Sequence, residues 1–527
     1  QQRLAATTTT TTTPQREDET YAWPDEISAE KPLRVVIAGA GVGGLTLANA
    51  LRRLKHVEVQ VLEKTNEFRR FGGPIQLASN AMQLMKTIDP AVYEDIEHKF
   101  TWTGNLTNGI KDGVRDEWYA KFDLKTPALA RGLPYTGVIE RPELQSILLH
   151  HLDDKTTKVL NGKAVASYAQ ECAVPTNGED ETCPVVIELS DGGKVGADVL
   201  IGADGIWSEV RAAMRNEPAR GEGSGVSYSG YTVFAGELDF DSPDEGAVGY
   251  KVYIGPSQYF VITNIAAGRY QWYAFLARPP GSSTDESKNV DQPSYLKQIF
   301  EGWSPDIHAI LDATRDDQVE QRDLYDRPPS SFRPWSDGPV ALLGDSIHAM
   351  MPNLGQGGCQ AIEDAVVLAE ELDAISRRSD VADALLRYRD RRLVRSAAVQ
   401  GLSRFASDII IRGFDTPAKV TSSSEHGWRF ENFGYAGIVT RLMQPILPVF
   451  FTVQFAFLYD GWDNRSLDLR AGLAIFALGL LLLAVSAGAV GDLAVLLPFL
   501  DLTGLVELST AASEALTNLL PSFDGLF

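Results

Sequence analysis

The N-terminal part of the chain alternates short apolar runs with stretches of helical periodicity. Leu33–Ala38 is an unbroken apolar and β-branched run, the pattern of a strand buried on both faces. A glycine cluster follows it. Residues 45–55 then return to helical spacing and 57–62 form a second apolar run, which predicts a β-turn-α-β unit on a parallel sheet. Residues 197–201 and 340–343 are two more short apolar runs, each leading into a Gly/Asp turn, and are expected to join that sheet. Between them, over 226–277, the period changes to two. Turn signals at Gly255-Pro256 and Ala267-Gly268, with twelve aromatics between Val226 and Arg278, predict an antiparallel sheet. Long amphipathic helices are predicted over 361–376 and 382–405.

These elements define an α/β chain in which one parallel-sheet unit, 33–225 and 328–410, is interrupted by an antiparallel unit, 226–327, with part of 72–140 facing the junction. Ligands commonly sit in such a cleft. Residues 1–32 read as a disordered tail, because Thr7 to Thr13, Pro14 and the acids Glu17, Asp18 and Glu19 cannot build a packed core. The tail has the composition of a transit-peptide remnant and equally of a linker. Residues 411–470 form a linker or helical region, and 471–527 a hydrophobic, membrane-associated tail. Within the tail, 471–491 holds 21 residues without charge, a helix of about 31 Å against a hydrocarbon core of about 30 Å. Arg465 and Arg470 precede it and no Lys or Arg follows, which keeps the preceding part on the cytoplasmic or stromal side if the run spans. An interfacial hairpin, favoured by Asp492 and Pro498, and a helix buried in a dimer remain open alternatives.

The 527 residues carry 48 Lys and Arg against 70 Asp and Glu, a net charge of −22. No basic stripe breaks that excess, so a nucleic-acid backbone is excluded as the main partner. Three cysteines do not make a disulfide framework. Cys172 and Cys183 bracket a polar loop and stand as either two free thiols or a reversible pair.

The chemistry concentrates in glycine turns. Gly39-Ala40-Gly41-Val42-Gly43-Gly44 is a G-x-G-x-x-G pattern between a strand and a helix. Gly39 serves the tight turn, Gly41 the approach of a pyrophosphate and Gly44 the packing of helix on strand, with phosphates at the positive helix end. Glu63 ends the second strand 19 residues after Gly44, placed to accept from the ribose hydroxyls of an adenosine and to repel a 2′-phosphate. The site therefore favours FAD or NAD over NADP, in a Rossmann-like sheet.

Two further motifs separate FAD from NAD. In Ala203-Asp204-Gly205-Ile206-Trp207-Ser208 with Arg211, and in Gly344-Asp345-Ser346-Ile347-His348, the chain resembles the FAD-dependent hydroxylases built like para-hydroxybenzoate hydroxylase. The resemblance implies that Asp345, after Gly344, holds the ribityl chain of FAD. It gives the Asp204-Gly205 turn to both FAD and a passing nicotinamide donor. Pro352, Gly355, Gln356 and Gly357 match the loop at the flavin ring, and Arg141 matches an arginine that reaches the cofactor from the far side. An N-cap is the simpler alternative for Asp204 and Asp345.

Stretches from Gly73 to Asn80, Tyr228 to Tyr231, Gln271 to Phe275, Arg322 to Arg327 and Gly355 to Asp364, with Cys359 where the wider family usually has Asn, resemble the zeaxanthin epoxidase family. The resemblance covers about 33–405. It departs at the C-terminus, where plant members carry a forkhead-associated domain and this chain has an apolar tail, as fits an algal form. It implies epoxidation of the β-ring 5,6 double bond of xanthophylls through a flavin C4a-hydroperoxide, with O2 as cosubstrate and NAD(P)H or reduced ferredoxin as donor. It also implies a plastid location at the thylakoid or envelope membrane, with lipid and a reductase or ferredoxin as partners. An FAD monooxygenase of another terpenoid or aromatic, and a non-catalytic flavoprotein subunit of a pigment complex, are the alternatives.

Such chemistry forces no side chain to be a general acid or base, and none is assigned as catalytic. Gln76, Tyr231 and Trp272 are candidate pocket residues, with sheet core as the alternative for the aromatics. Seven scattered histidines show no metal-binding spacing, so no metal is expected and His348 reads as a hydrogen-bonded supporting residue.

Overall fold

The structure, a computed structural model, describes residues 25–412, apart from 69–72, 153–156, 171–184, 256–257, 266–267, 282–289 and 330–332, together with residues 447–459. Residues 1–24, Cys172, Cys183, and the whole of 471–527 with its uncharged run lie outside the described residues. Residues 25–32, expected to be part of a disordered tail, are instead held in place by a buried Ile27 and by Arg378, which donates to the carbonyls of Glu26, Lys31 and Pro32. Among the described residues no helix is long and apolar enough to cross a membrane.

The expected parallel sheet is present. Its order is Ser336–Asp337, Val340–Leu342, Val199–Gly202, Leu33–Ala38, Val57–Glu63, Thr157–Asn161. All neighbours are parallel except the first pair. The predicted β-turn-α-β unit is completed by helix Val42–Leu51. Helix Gly357–Asp373 packs on that helix and carries an almost wholly buried apolar stripe. Both faces of the central strands are covered, which explains their lack of alternation: Leu33, Ile37, Leu200 and Leu342 are all fully buried.

The period-two region forms a seven-stranded sheet in the order Val319–Asp326, Ser227–Asp239, Arg269–Ala277, Gln258–Asn264, Val248–Gly255, Thr107–Asp112, Trp118–Phe122. Its neighbours are antiparallel apart from Val248–Gly255 with Thr107–Asp112. The last two strands come from the part of 72–140 expected to face the junction, and they join the sheet itself. Helices Gln292–Ile299 and Pro305–Ala313 cover one face around Phe260, Trp272, Phe300 and Ile307. The other face meets the parallel-sheet unit across a cluster of Tyr231, Tyr259, Phe275 and Met351. At the sheet's edge, helix Leu447–Tyr459 lays Phe451 and Phe455 on Phe122, with centroids 4.3 and 5.9 Å away.

Candidate functional site

Three turns converge at the C-terminal edge of the parallel sheet, where open α/β sheets bind ligands. The first joins Leu33–Ala38 to Val42–Leu51. Gly39 has φ +110°, and a Cβ on it would stand 2.4 Å from the Ala203 carbonyl oxygen, so only glycine fits. A Cβ on Gly44 would stand 2.1 Å from the Gly39 carbonyl oxygen, and one on Gly43 2.6 Å from Leu343 Cδ2. At Gly41 a Cβ would meet nothing within 4 Å, so the backbone there faces open space. This helix has no side-chain cap bond and no acid in its first turn. Its leading N–H groups are left for an anion. Glu63 is fixed nearby: Oε2 accepts from the Ala40 N–H at 2.9 Å, and Oε1 from the Thr65 N–H at 2.9 Å and hydroxyl at 3.0 Å. Oε1 is thereby filled, and Oε2 keeps a lone pair for a further donor.

The second turn follows Val199–Gly202. Asp204 Oδ2 accepts from the N–H groups of Glu209 at 2.8 Å and Val210 at 3.2 Å, so this carboxylate does hold the first turn of helix Glu209–Arg215, although the N-cap residue is Ser208. Burial raises its pKa, its own hydrogen bonds opposing the shift. A Cβ on Gly205 would meet nothing within 4 Å, which leaves the turn open on its outer side. Arg211 is fully buried and donates through Nη1 to the carbonyls of Ile206 and Ser346, each at 2.9 Å, tying this turn to the third.

The third turn follows Val340–Leu342. The Gly344 N–H donates to Asp364 Oδ2 at 2.9 Å. Asp345 makes no cap bond and its side chain is exposed, so the capping alternative fails here. The surrounding protein nevertheless raises its pKa by desolvation, against the charges of His348 and Arg141, as for a side chain lining a cleft. Arg141 begins helix Arg141–His150, and Gln145 of that helix donates to the Ala40 carbonyl at 2.8 Å. That bond seats the helix against the first turn, and the Arg141 charge acts on Asp345 in the third. His348 Nε2 lies 2.6 Å from Asp364 Oδ2, the supporting role expected of it. Among the described residues no group of metal-ligating side chains forms.

Beyond it, Pro352–Leu354 forms a short 3-10 turn and Gly355 has φ +60°. A Cβ on Gly355 would stand 2.7 Å from Gln76 Nε2, which sets Gln76, in strand Pro74–Leu77, against this loop. Gln356 is buried and accepts from Asn80 Nδ2 at 3.4 Å. Gly357 opens helix Gly357–Asp373, which again has neither a side-chain cap nor a first-turn acid. Cys359 is fully buried, with its thiol pushed up to about 12 by desolvation.

Beneath the loop lies a buried ion network that the sequence reading did not assign. Arg392 donates to Asp364 Oδ1 at 2.8 Å, Glu363 Oε2 at 2.7 Å and Gln360 Oε1 at 2.8 Å. Arg395 grips both Glu363 oxygens, at 2.8 and 2.9 Å, and caps helix Leu447–Tyr459 through the carbonyls of Phe457 at 3.0 Å and Leu458 at 2.8 Å. Burial pushes the Asp364 pKa up, but the His348 and Arg392 charges more than offset that and hold it at about 2. The signal was in the sequence: two adjacent acids inside an apolar helix demand buried cations.

On the seven-stranded sheet the pocket candidates separate. Trp272 is corrected: it lies on the helix-covered face, stacked on Phe260 at 5.4 Å with its indole N–H donating to Thr314 Oγ1 at 2.9 Å, and is core. The two-residue period turns Tyr273 the other way, toward the cleft. Tyr231 shares that face but is fully enclosed by Tyr259 and Phe275, at 5.5 and 6.2 Å, and offers no surface to a ligand. Tyr259 donates to Asn353 Oδ1 at 2.9 Å and so joins the sheet to the Gly355 loop.

A family model described as an FAD binding domain matches residues 32–403. The chain is 42% identical over 385 residues to the chloroplastic zeaxanthin epoxidase of Oryza sativa subsp. japonica, covering 71% of this chain and 55% of that one. It is 40% identical over 382 residues to that of Arabidopsis thaliana, covering 70% and 53%. It thus spans about half the length of the curated relatives it matches. Among solved structures it is similar to Klebsiella pneumoniae HpxO complexed with FAD and uric acid, with 25% identity, a TM-score of 0.60 and coverage of 72% of this chain and 88% of that one. A salicylate hydroxylase substrate complex shares the fold at 20% identity and a TM-score of 0.60, over 82% and 99% of the two chains. With the glycine turns, the acid that ends the second strand and a family match running through both sheets, the chain belongs to the FAD-binding-domain family.

Proposed function

We propose that the chain is an FAD-dependent monooxygenase that epoxidises the β-ring double bond of xanthophylls in a plastid. The observation that carries the cofactor part is the pair of uncapped helix starts, at Gly41 and Gly357, opening on the cleft that also holds Asp345 and Arg141. The first accepts the pyrophosphate, with Gly39 and Gly44 closing the turn beneath it. Glu63 takes the adenosine ribose. Asp345 takes the ribityl hydroxyls, with Arg141 and the outer side of the Asp204-Gly205 turn flanking the chain. Pro352, Gly355, Gln356 and the N–H groups at Gly357 receive the ring edge on which negative charge develops. Bound FAD supplies the activation of O2; the protein supplies position and a dry site. Gln76 and the sheet face of Tyr259, Tyr273 and Phe275 orient an apolar ring across from that loop.

Identities near 40% to chloroplastic zeaxanthin epoxidases support the xanthophyll substrate and the plastid. NAD(P)H or reduced ferredoxin supplies the electrons. Residues 471–527 bring the protein to lipid, with the catalytic part on the stromal side of the thylakoid or envelope. The test is turnover: FAD-loaded protein in lipid, given reductant, O2 and zeaxanthin, yields the mono- and diepoxide by chromatography. No epoxide from any β-ring xanthophyll with either donor overturns the reading.

A further inference from the structure

The cleft-facing side of the seven-stranded sheet carries a buried polar group that is unsatisfied among the described residues. Gln271 is only 4% exposed, and its Oε1 has no hydrogen-bond partner among the described residues. Burying such an oxygen unpaired costs about 1–3 kcal/mol, which a ligand donor at this point removes. Tyr273 stands two residues on, on the same face. A Cβ on Gly73 would lie 2.7 Å from the Tyr273 hydroxyl and 2.9 Å from Gln271 Nε2, so the two polar ends converge on the backbone of a residue that only glycine can occupy. Gly73 directly precedes strand Pro74–Leu77, whose Gln76 touches the Gly355 loop, three residues or about 10 Å further along.

Polarity falls along strand Arg269–Ala277. Arg269 is neutralised by Glu140 and by Glu237 at 2.9 Å. Gln271 and Tyr273 come next, and then Phe275, stacked on Tyr259 at 4.1 Å. The gradient suits a ring that is apolar on one side and bears a single neutral polar group on the other. Burial pushes the Tyr273 phenol up to about 12, although Arg141 and Arg322 oppose the shift, so it is neutral and a hydrogen-bond donor at working pH.

We propose that Gln271 and Tyr273 form a subsite for an alcohol: the ring hydroxyl of a xanthophyll end-group donates to Gln271 Oε1 and accepts from the Tyr273 hydroxyl, while the ring carbons lie toward Phe275. The inference rests on the epoxidase reading and sharpens it, since a site built around a hydroxyl rejects a ring lacking one by leaving its own polar groups unpaired. Preference for a hydroxylated over an unhydroxylated β-ring is at least about tenfold.

β-Cryptoxanthin, which carries one hydroxylated and one plain β-ring, makes the test internal to one molecule. The FAD-loaded full chain is given zeaxanthin, β-cryptoxanthin and β-carotene in lipid vesicles, and the ratio of epoxides on the two rings of β-cryptoxanthin is read by mass spectrometry. Because the ratio is independent of how much enzyme is folded, Gln271→Leu and Tyr273→Phe remain informative even if their yield falls. The wild type epoxidises the hydroxylated ring in at least about tenfold excess, and both variants bring the ratio toward one. Quenching of tryptophan fluorescence by zeaxanthin and β-carotene gives the same preference as binding, without turnover. Equal epoxidation of both rings by the wild type, or an unchanged ratio in Gln271→Leu, overturns the subsite while the epoxidase reading stands. Absence of any zeaxanthin epoxide overturns both.

Discussion

Trp272 and Tyr273 are neighbours in one strand and face opposite ways, and their surroundings differ in kind. On the Trp272 side two helices close over the sheet, the ring is fully buried, and the indole N–H is satisfied by Thr314. On the Tyr273 side the sheet meets a loop of another unit and the nearby Gln271 oxygen has no partner among the described residues. Both faces are aromatic, so aromatic content does not tell a pocket from a core. At these two positions the pairing of the polar groups does. The same contrast separates two acids of the parallel-sheet unit: Asp364 is enclosed and fully engaged, whereas Asp345 opens on the cleft with no cap bond.

The strongest way to break this contrast is to remove its closed side. Trp272→Ala leaves a large cavity under Phe260 and destabilises the fold by about 3–5 kcal/mol in denaturant unfolding, while Tyr273→Phe shifts stability by less than about 1 kcal/mol. Equal costs at the two positions would end the distinction. Asp364→Asn comes next. It strips a buried network of one charge and costs about 3 kcal/mol at neutral pH. The Asp364 pKa of about 2 lies below its unfolded value of about 3.9, so the stability it contributes is complete above about pH 4 and is lost as pH falls from there toward 2. The wild type therefore loses more stability between pH 4 and 2 than the variant does; parallel curves would remove Asp364 from that role. The smallest global effect belongs to the open side. Asp345→Ala leaves unfolding within about 1 kcal/mol of the wild type but weakens FAD about tenfold or more, read by loss of yellow colour on gel filtration. Retained colour would count against its assignment.

How much of this was legible in the sequence follows from the range of the forces involved. The four apolar strands of the parallel sheet and the turn at Gly39 to Gly44 are local patterns, and the structure contains them where they were expected. The two-residue period over 226–277 correctly made a sheet, and it also implied that Trp272 and Tyr273 part company. It did not say which face the helices at 292–313 would take, because that is decided by packing between segments far apart in sequence. The same holds for Thr107–Asp112 and Trp118–Phe122, recruited across more than a hundred residues into the sheet. Asp204 shows a different limit. An acid at a strand-to-helix turn has two uses, and only the geometry reveals that its carboxylate holds Glu209 and Val210. Arg392 and Arg395 were readable in principle from the buried Glu363-Asp364 pair that needs them.

Under the proposed function, the open face delivers a β-ring to an oxygen-activating FAD site. The direct measurement is a turnover of the full-length, FAD-loaded protein with zeaxanthin in lipid under 18O2. One 18O atom is expected in each newly epoxidised ring, with epoxide matching reductant consumed. Reductant consumption that yields only hydrogen peroxide, or product carrying oxygen from water, would contradict it.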